Sequence, residues 1–137
     1  RGFLFYTTHA SDPLPAAVGL KVLEIVIRDK LTERARTLGD YLRDGLLALQ
    51  QRHECIGDVR GRGLLAGLDL VRDRATKAPA PELAQRVART CLDLGMMTSI
   101  VRGGLGIFRM APPITISKEE IDLALDMFDT AIRKSLL

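Results

Sequence analysis

The sequence predicts an α+β domain, with helices laid on one face of a small, mostly antiparallel sheet. Three observations point there. From residue 31 onward, the apolar pattern alternates between helical and strand periods in the order α-β-β-α-β-β-α. Glycine-rich breaks at Gly61-Arg62-Gly63 and at residues 102–106 separate short apolar runs, as tight hairpin connections do. The 137 residues suffice for one compact domain and are too few for two ordinary ones.

Taken in order, residues 3–6 form an apolar, aromatic run that fits a buried strand. Residues 7–15 are rich in Thr, His, Ser, Asp and Pro and read as a loop, with Asp12-Pro13 opening a helix. Residues 16–28 are apolar nearly all round, so this helix is expected to be buried on several sides. Residues 31–52 make the clearest amphipathic helix, with Leu31, Ala35, Leu38, Leu42, Leu46 and Leu49 on one stripe. Strands are expected over 56–60 and 64–71, joined by Gly61-Arg62-Gly63, then a polar loop over 73–81. A helix over 82–94 stops at Gly95. Two short strands, 97–101 and 107–110, bracket the second glycine-rich loop. Ser117-Lys-Glu-Glu120 is a capping box opening the last helix, whose stripe is Ile121, Leu125, Phe128 and Ile132.

Composition excludes several function classes. Hydrophobic residues are 47% and charged residues 27%, as in a folded globular protein. The net charge of +3 is dispersed, with arginines interleaved among acids and no basic stripe, which argues against nucleic acid as a partner. No apolar run reaches the roughly 18–20 residues of a bilayer span, so no membrane is expected. Cys55 and Cys91 lack CxxC spacing, and no signal peptide precedes them; they are expected to be reduced, in a cytoplasmic setting.

Few residues carry candidate chemistry. Thr7-Thr8-His9-Ala10-Ser11-Asp12 places hydroxyls before a helix start, where a phosphate can bind, although Ser11 or Asp12 can equally serve as a plain helix cap. His9 and His53 have no partner at metal or triad spacing and read as surface or packing residues, so no transition-metal site is expected. Gly61-Arg62-Gly63 and Gly103-Gly-Leu-Gly106 lack nucleotide-loop spacing. Arg109 is the local oddity: it interrupts the apolar run 107–110 just before Ala111-Pro112-Pro113. It must face solvent or meet an anion, and its planar fork suits a carboxylate.

Together these segments resemble the class III (ω-) aminotransferases, pyridoxal-phosphate (PLP) enzymes of fold type I. The resemblance runs along nearly the whole chain: Thr8 before Asp12-Pro13 and a long helix, the turn Val59-Arg-Gly-Arg-Gly-Leu64 ahead of a strand, then Arg109 before Pro112-Pro113. Most members carry Thr-Phe-Gly-Gly-Asn-Pro at the first motif. The Thr8-His-Ala-Ser-Asp-Pro13 found here instead resembles the members that decarboxylate 2,2-dialkylglycines and transaminate pyruvate.

The resemblance implies that residues 1–30 are the last strand of the large PLP-binding domain with an interdomain helix, and that residues 31–137 are the C-terminal small domain. It implies that Thr8 binds the cofactor phosphate held by the partner subunit of a homodimer. Arg109 would bind the carboxylate of amino-acid and 2-oxo-acid substrates. Thr8, Ala10 and Asp12 would hold a potassium or sodium ion. No catalytic residue is expected in this chain. The Schiff-base lysine, the acid facing the pyridine nitrogen and the stacking aromatic would all lie upstream of Arg1, and the chain alone is expected to be inactive. The opening Arg1-Gly-Phe-Leu-Phe-Tyr6, without Met and apolar from its third residue, reads as a cut through something larger. An ordinary ω-aminotransferase remains an alternative to the decarboxylase, as does a freestanding dimerisation module.

Overall fold

A computed structural model describes residues 2, 7, 9, 12–101, 103 and 105–137. The strand expected over residues 3–6 lies outside them. Contacts divide the chain into two units, Arg1–Glu33 and Arg34–Leu137.

In the first unit, helix α1 runs Pro13–Arg28. Asp12 is its N-cap, accepting from the Leu14 N–H, and Pro13 occupies the first turn, where a missing N–H costs nothing. No residue of α1 is buried, and Leu14, Val18, Leu20, Val22, Leu23 and Ile27 are all exposed. The helix forms where expected, but the burial its apolar surface demands is not met among the described residues.

The second unit is α+β, with the helical layer on one face of the sheet. Helix α2 (Leu31–Arg52) begins at the junction and carries Leu38, Leu42, Leu46 and Leu49 into the core. Strands β1 (Ile56–Arg62) and β2 (Leu65–Asp73) pair antiparallel around a two-residue turn, Gly63-Leu64. The turn is thus tighter than the Gly61-Arg62-Gly63 reading: it shares Gly63, but β1 runs two residues further and β2 starts one later, because Gly63 supplies the left-handed φ of 54° at the turn itself. Within the loop expected over 73–81, Ala78–Pro79 forms a brief strand β3 against β2.

Helix α3 (Pro81–Asp93) follows, then β4 (Ser99–Ile100), β5 (Ile107–Met110) and α4 (Lys118–Leu136). The sheet order is β1-β2-β5-β4, antiparallel throughout, with β3 beside β2. Ala66, Leu68 and Leu70 of β2 face the helices with Phe108 of β5, which meets Phe128 of α4 edge to face at 5.1 Å. Each of these buried leucines and phenylalanines contributes about 1.5–3 kcal/mol. Strand alternation then turns Gly67, Asp69 and Arg109 to the opposite, open face.

Three polar ties hold the helical layer. Arg34 donates to the carbonyls of Ile114, Thr115 and Ile116, fixing the segment ahead of α4. The Tyr41 hydroxyl donates to Asp122 at 2.7 Å. Ser117 and Glu120 close the expected capping box.

Candidate functional site

Arg109 is positioned by its neighbours. Phe108, wholly buried, fixes the register of β5, so the next side chain must emerge on the other face. There Arg109 stands opposite Gly67 of β2 and Ser99 of β4. It is exposed, and among the described residues no hydrogen bond or ion pair engages its guanidinium. Ala111-Pro112-Pro113 ends the strand immediately afterwards, since proline has no N–H to continue the ladder. A strand arginine with five free donors and a rigid base is a ready carboxylate anchor.

A cleft of ≈ 670 Å³, mostly apolar, opens where β4 is only two residues long. Arg109 lines it together with Leu42, Met97, Thr98, Pro112 and Leu125. The Thr98 hydroxyl is buried there without a hydrogen-bond partner among the described residues. The sequence pattern offered no sign of this cleft, whose lining comes from residues far apart in the chain, Leu42 to Phe128.

The first candidate segment is only partly described. Thr8, read as a phosphate ligand, and Ala10, read with Thr8 and Asp12 as an alkali-ion ligand, lie outside the described residues. Asp12 is described: one carboxylate oxygen accepts from Leu14 N–H at 3.4 Å and the other stands 3.5 Å from His9 Nδ1. Both contacts are long, so the carboxylate serves as a weak cap and keeps lone pairs to spare.

His53 has a role that its sequence neighbourhood did not reveal. It is buried at the end of α2, with Nε2 2.6 Å from Asp129 Oδ1. Arg52 stands 3.5 Å from Oδ1 and Arg133 3.1 Å from Oδ2. Burial pushes the Asp129 carboxyl up, but the hydrogen bond from His53 and the charges of Arg52 and Arg133 outweigh it, leaving it below its ordinary value. The pair clamps α2 to α4. Its one sequence signal was the position of Asp129, four residues beyond Leu125 on the buried stripe of the last helix.

Arg60 was equally unforeseen. Its Nη1 lies 2.7 Å from Asp58 Oδ2 and 2.8 Å from Asp69 Oδ2, on the same open sheet face as Arg109. The two carboxylates hold the guanidinium firmly protonated, with Asp69 the larger influence. Cys55 and Cys91 are free thiols; burial pushes the Cys91 thiol up to about 11. No group of three or more His, Cys, Asp or Glu among the described residues could hold a metal ion, and no described helix is long and apolar enough to cross a membrane.

Comparison with known proteins adds four findings. The Aminotransferase class-III family pattern matches residues 5–132. An uncharacterized aminotransferase of Schizosaccharomyces pombe is 49% identical over 133 residues, covering 96% of this chain and 30% of its own length. A leucine/methionine racemase of Thermococcus litoralis is 38% identical, covering 91% of this chain and 28% of its own. Among solved structures, a Bacillus anthracis aminotransferase superposes with a TM-score of 0.85 at 33% identity, over 96% of this chain and 30% of that one. The chain therefore spans about 30% of the length of such relatives.

Proposed function

Because the chain belongs to the class III aminotransferase family, we propose that it is the C-terminal part of an enzyme that moves an amino group between an amino acid and a 2-oxo acid, and that it supplies the carboxylate anchor. The family is PLP-dependent. Residues 1–30 are then the end of the large cofactor-binding domain and residues 31–137 the small domain, within a homodimer.

The observation that carries this reading is Arg109, a strand arginine exposed beside a cleft, with its guanidinium uncommitted among the described residues. A bidentate fork of this kind orients an α-carboxylate and leaves the amino group free to react.

The described residues do not by themselves make a PLP site. The cofactor supplies an electron sink but needs a lysine to receive it. Lys21 pairs with Glu24 on α1, Lys118 lies over the Tyr41 ring, and Lys30 and Lys77 sit in turns. Lys134 is in the last turn of α4. No step through the cofactor is assigned to these residues. Thr8 is proposed only to hydrogen-bond its phosphate. Asp12, with its spare lone pairs, is proposed to join Thr8 and the Ala10 carbonyl around a potassium or sodium ion.

In the full-length protein, Arg109→Gln should raise KM for L-alanine by about tenfold or more, the scale of a lost charge-assisted hydrogen bond, and spare amines without a carboxylate. An equal effect on both substrates would remove the anchor role.

A second reading is favoured by the stretch His9-Ala-Ser-Asp12, which departs from the common motif towards the 2,2-dialkylglycine decarboxylases. Such an enzyme decarboxylates its amino-acid substrate before transaminating pyruvate, and Arg109 would serve both reactions. Release of CO2 from 2-aminoisobutyrate by the full-length protein, with alanine formed from pyruvate, separates the two; alanine formation from other donors with no CO2 leaves the ordinary aminotransferase.

A further inference from the structure

The open face of the sheet carries an acid that could defeat Arg109. The register places Arg60, Gly67, Arg109 and Ser99 in one row across β1, β2, β5 and β4. In the next row Asp58 stands opposite Asp69, and Asp69 opposite Ile107. Asp69 is therefore the diagonal same-face neighbour of Arg109. Such neighbours are separated by about 7–8 Å at the backbone, within reach of a long side chain. An internal ion pair there would occupy the guanidinium that a substrate carboxylate needs. Yet among the described residues Arg109 is uncommitted, and Asp69 meets Arg60 instead.

We propose that Arg60 is a positioning residue that sequesters Asp69, and with it Asp58, so that Arg109 stays available to a carboxylate substrate. This rests on the reading of Arg109 as the carboxylate anchor. Three details support it. Arg60 spans both carboxylates at 2.7 and 2.8 Å, taking up the negative charge next to Arg109. Gly67 lies between the two arginines, and the Arg60 side chain runs across it: a Cβ built there would sit 3.6–3.8 Å from Arg60 Cγ, Nε and Cζ. Any larger side chain at 67 would crowd that path. Finally, Asp69 Oδ1 is buried with no hydrogen-bond partner among the described residues. It retains accepting capacity that a freed Asp69 could satisfy on Arg109, its diagonal neighbour.

The test uses the full-length, PLP-loaded protein with L-alanine and with isopropylamine, which has a methyl group in place of the carboxylate. Binding of propionate, an unreactive carboxylate, is measured alongside by calorimetry. Arg60→Gln should raise KM for alanine and Kd for propionate about fivefold, the scale of one competing, partly exposed ion pair. It should leave KM for isopropylamine and kcat for both donors in place. Adding Asp69→Asn should return the alanine and propionate values to wild type, which a merely structural Arg60 would not do. Arg60→Lys keeps the charge but not the reach and planar shape that carry Nη1 to both carboxylates, and should give a smaller rise, also cancelled by Asp69→Asn; this pair serves if Arg60→Gln does not fold. Equal effects on alanine and isopropylamine, or no recovery in the double variants, overturn the proposal while Arg109→Gln still abolishes carboxylate preference. If Arg109→Gln itself leaves that preference intact, the anchor reading fails and this inference with it.

Discussion

One arginine and one aspartate show what single residues contribute. Arg109 stood out in the sequence because an arginine rarely interrupts an apolar strand; the structure adds that its guanidinium has no described partner. Asp129 did not stand out, since an aspartate in an amphipathic helix is commonplace, yet it is buried under His53, Arg52 and Arg133. Its folded carboxyl lies below the ordinary 3.8, so the unfolded chain takes up the proton first as pH falls. The pair's contribution is full above about that pH and is lost as pH drops through the folded value. Asp129→Ala should destabilise the chain by roughly 3 kcal/mol at neutral pH, because it strands a buried histidine. Urea unfolding followed from pH 6 to pH 3 should show the gap between variant and wild type closing at the acid end. A gap that does not change over that range would rule out the linkage.

Elements were legible where their signal is local. The capping box at Ser117, the stop at Gly95 and the stripe of α2 each depend on residues within a few positions, and each forms as read. The first strand runs two residues past its expected end because Gly61 and Gly63 are equal turn candidates on paper, whereas only Gly63 is drawn against α2. Gly39, unremarkable within that helix, meets it: a Cβ on Gly39 would fall on the Gly63 backbone. Gly39→Ala should therefore cost roughly 2 kcal/mol by overpacking, against the usual helix-propensity gain of about 1 kcal/mol. Gly19→Ala in α1, where a Cβ meets nothing within 4 Å, is the matched control and should increase helicity. Chemical denaturation of both variants reads the contrast, and a stabilised Gly39→Ala would contradict the close approach.

At the scale of the molecule, the two units differ in how their apolar surface is satisfied. Within Arg34–Leu137 a shared core runs from Leu38 to Ile132, and Phe108, Phe128 and Leu46 are sealed inside it. Among the described residues no side chain of α1 is fully buried, with Ile27 76% exposed and Leu14 72%. A stripe of that kind drives association in water. The chain on its own should run as an oligomer in light scattering, and Val18→Glu/Val22→Lys should shift it towards monomer; an unaffected monomeric wild type would contradict this. The same chain incubated with PLP should show no lysine-bound cofactor absorbance and no transamination. Borohydride trapping of PLP on one specific lysine would show that a site had been missed.

The sequence alone determined the α+β class, the order of the elements, the capping of α4 and the singularity of Arg109. All of these follow from periodicity, turn chemistry and a charge out of pattern, which are local properties. It also carried the family resemblance, because Thr8, Asp12-Pro13, Val59-Arg-Gly-Arg-Gly-Leu64 and Arg109 with Pro112-Pro113 recur in a fixed order. Only the tertiary structure decided which residues meet across the chain. His53 finds Asp129 over 76 positions, Gly39 finds Gly63, and Arg60 finds Asp69 across the hairpin. Strand register set the last of these. A one-residue slip would have moved Asp69 to the buried face, so the side chains that surround Arg109 follow from how β2 pairs, not from the residues beside Arg109 in the sequence.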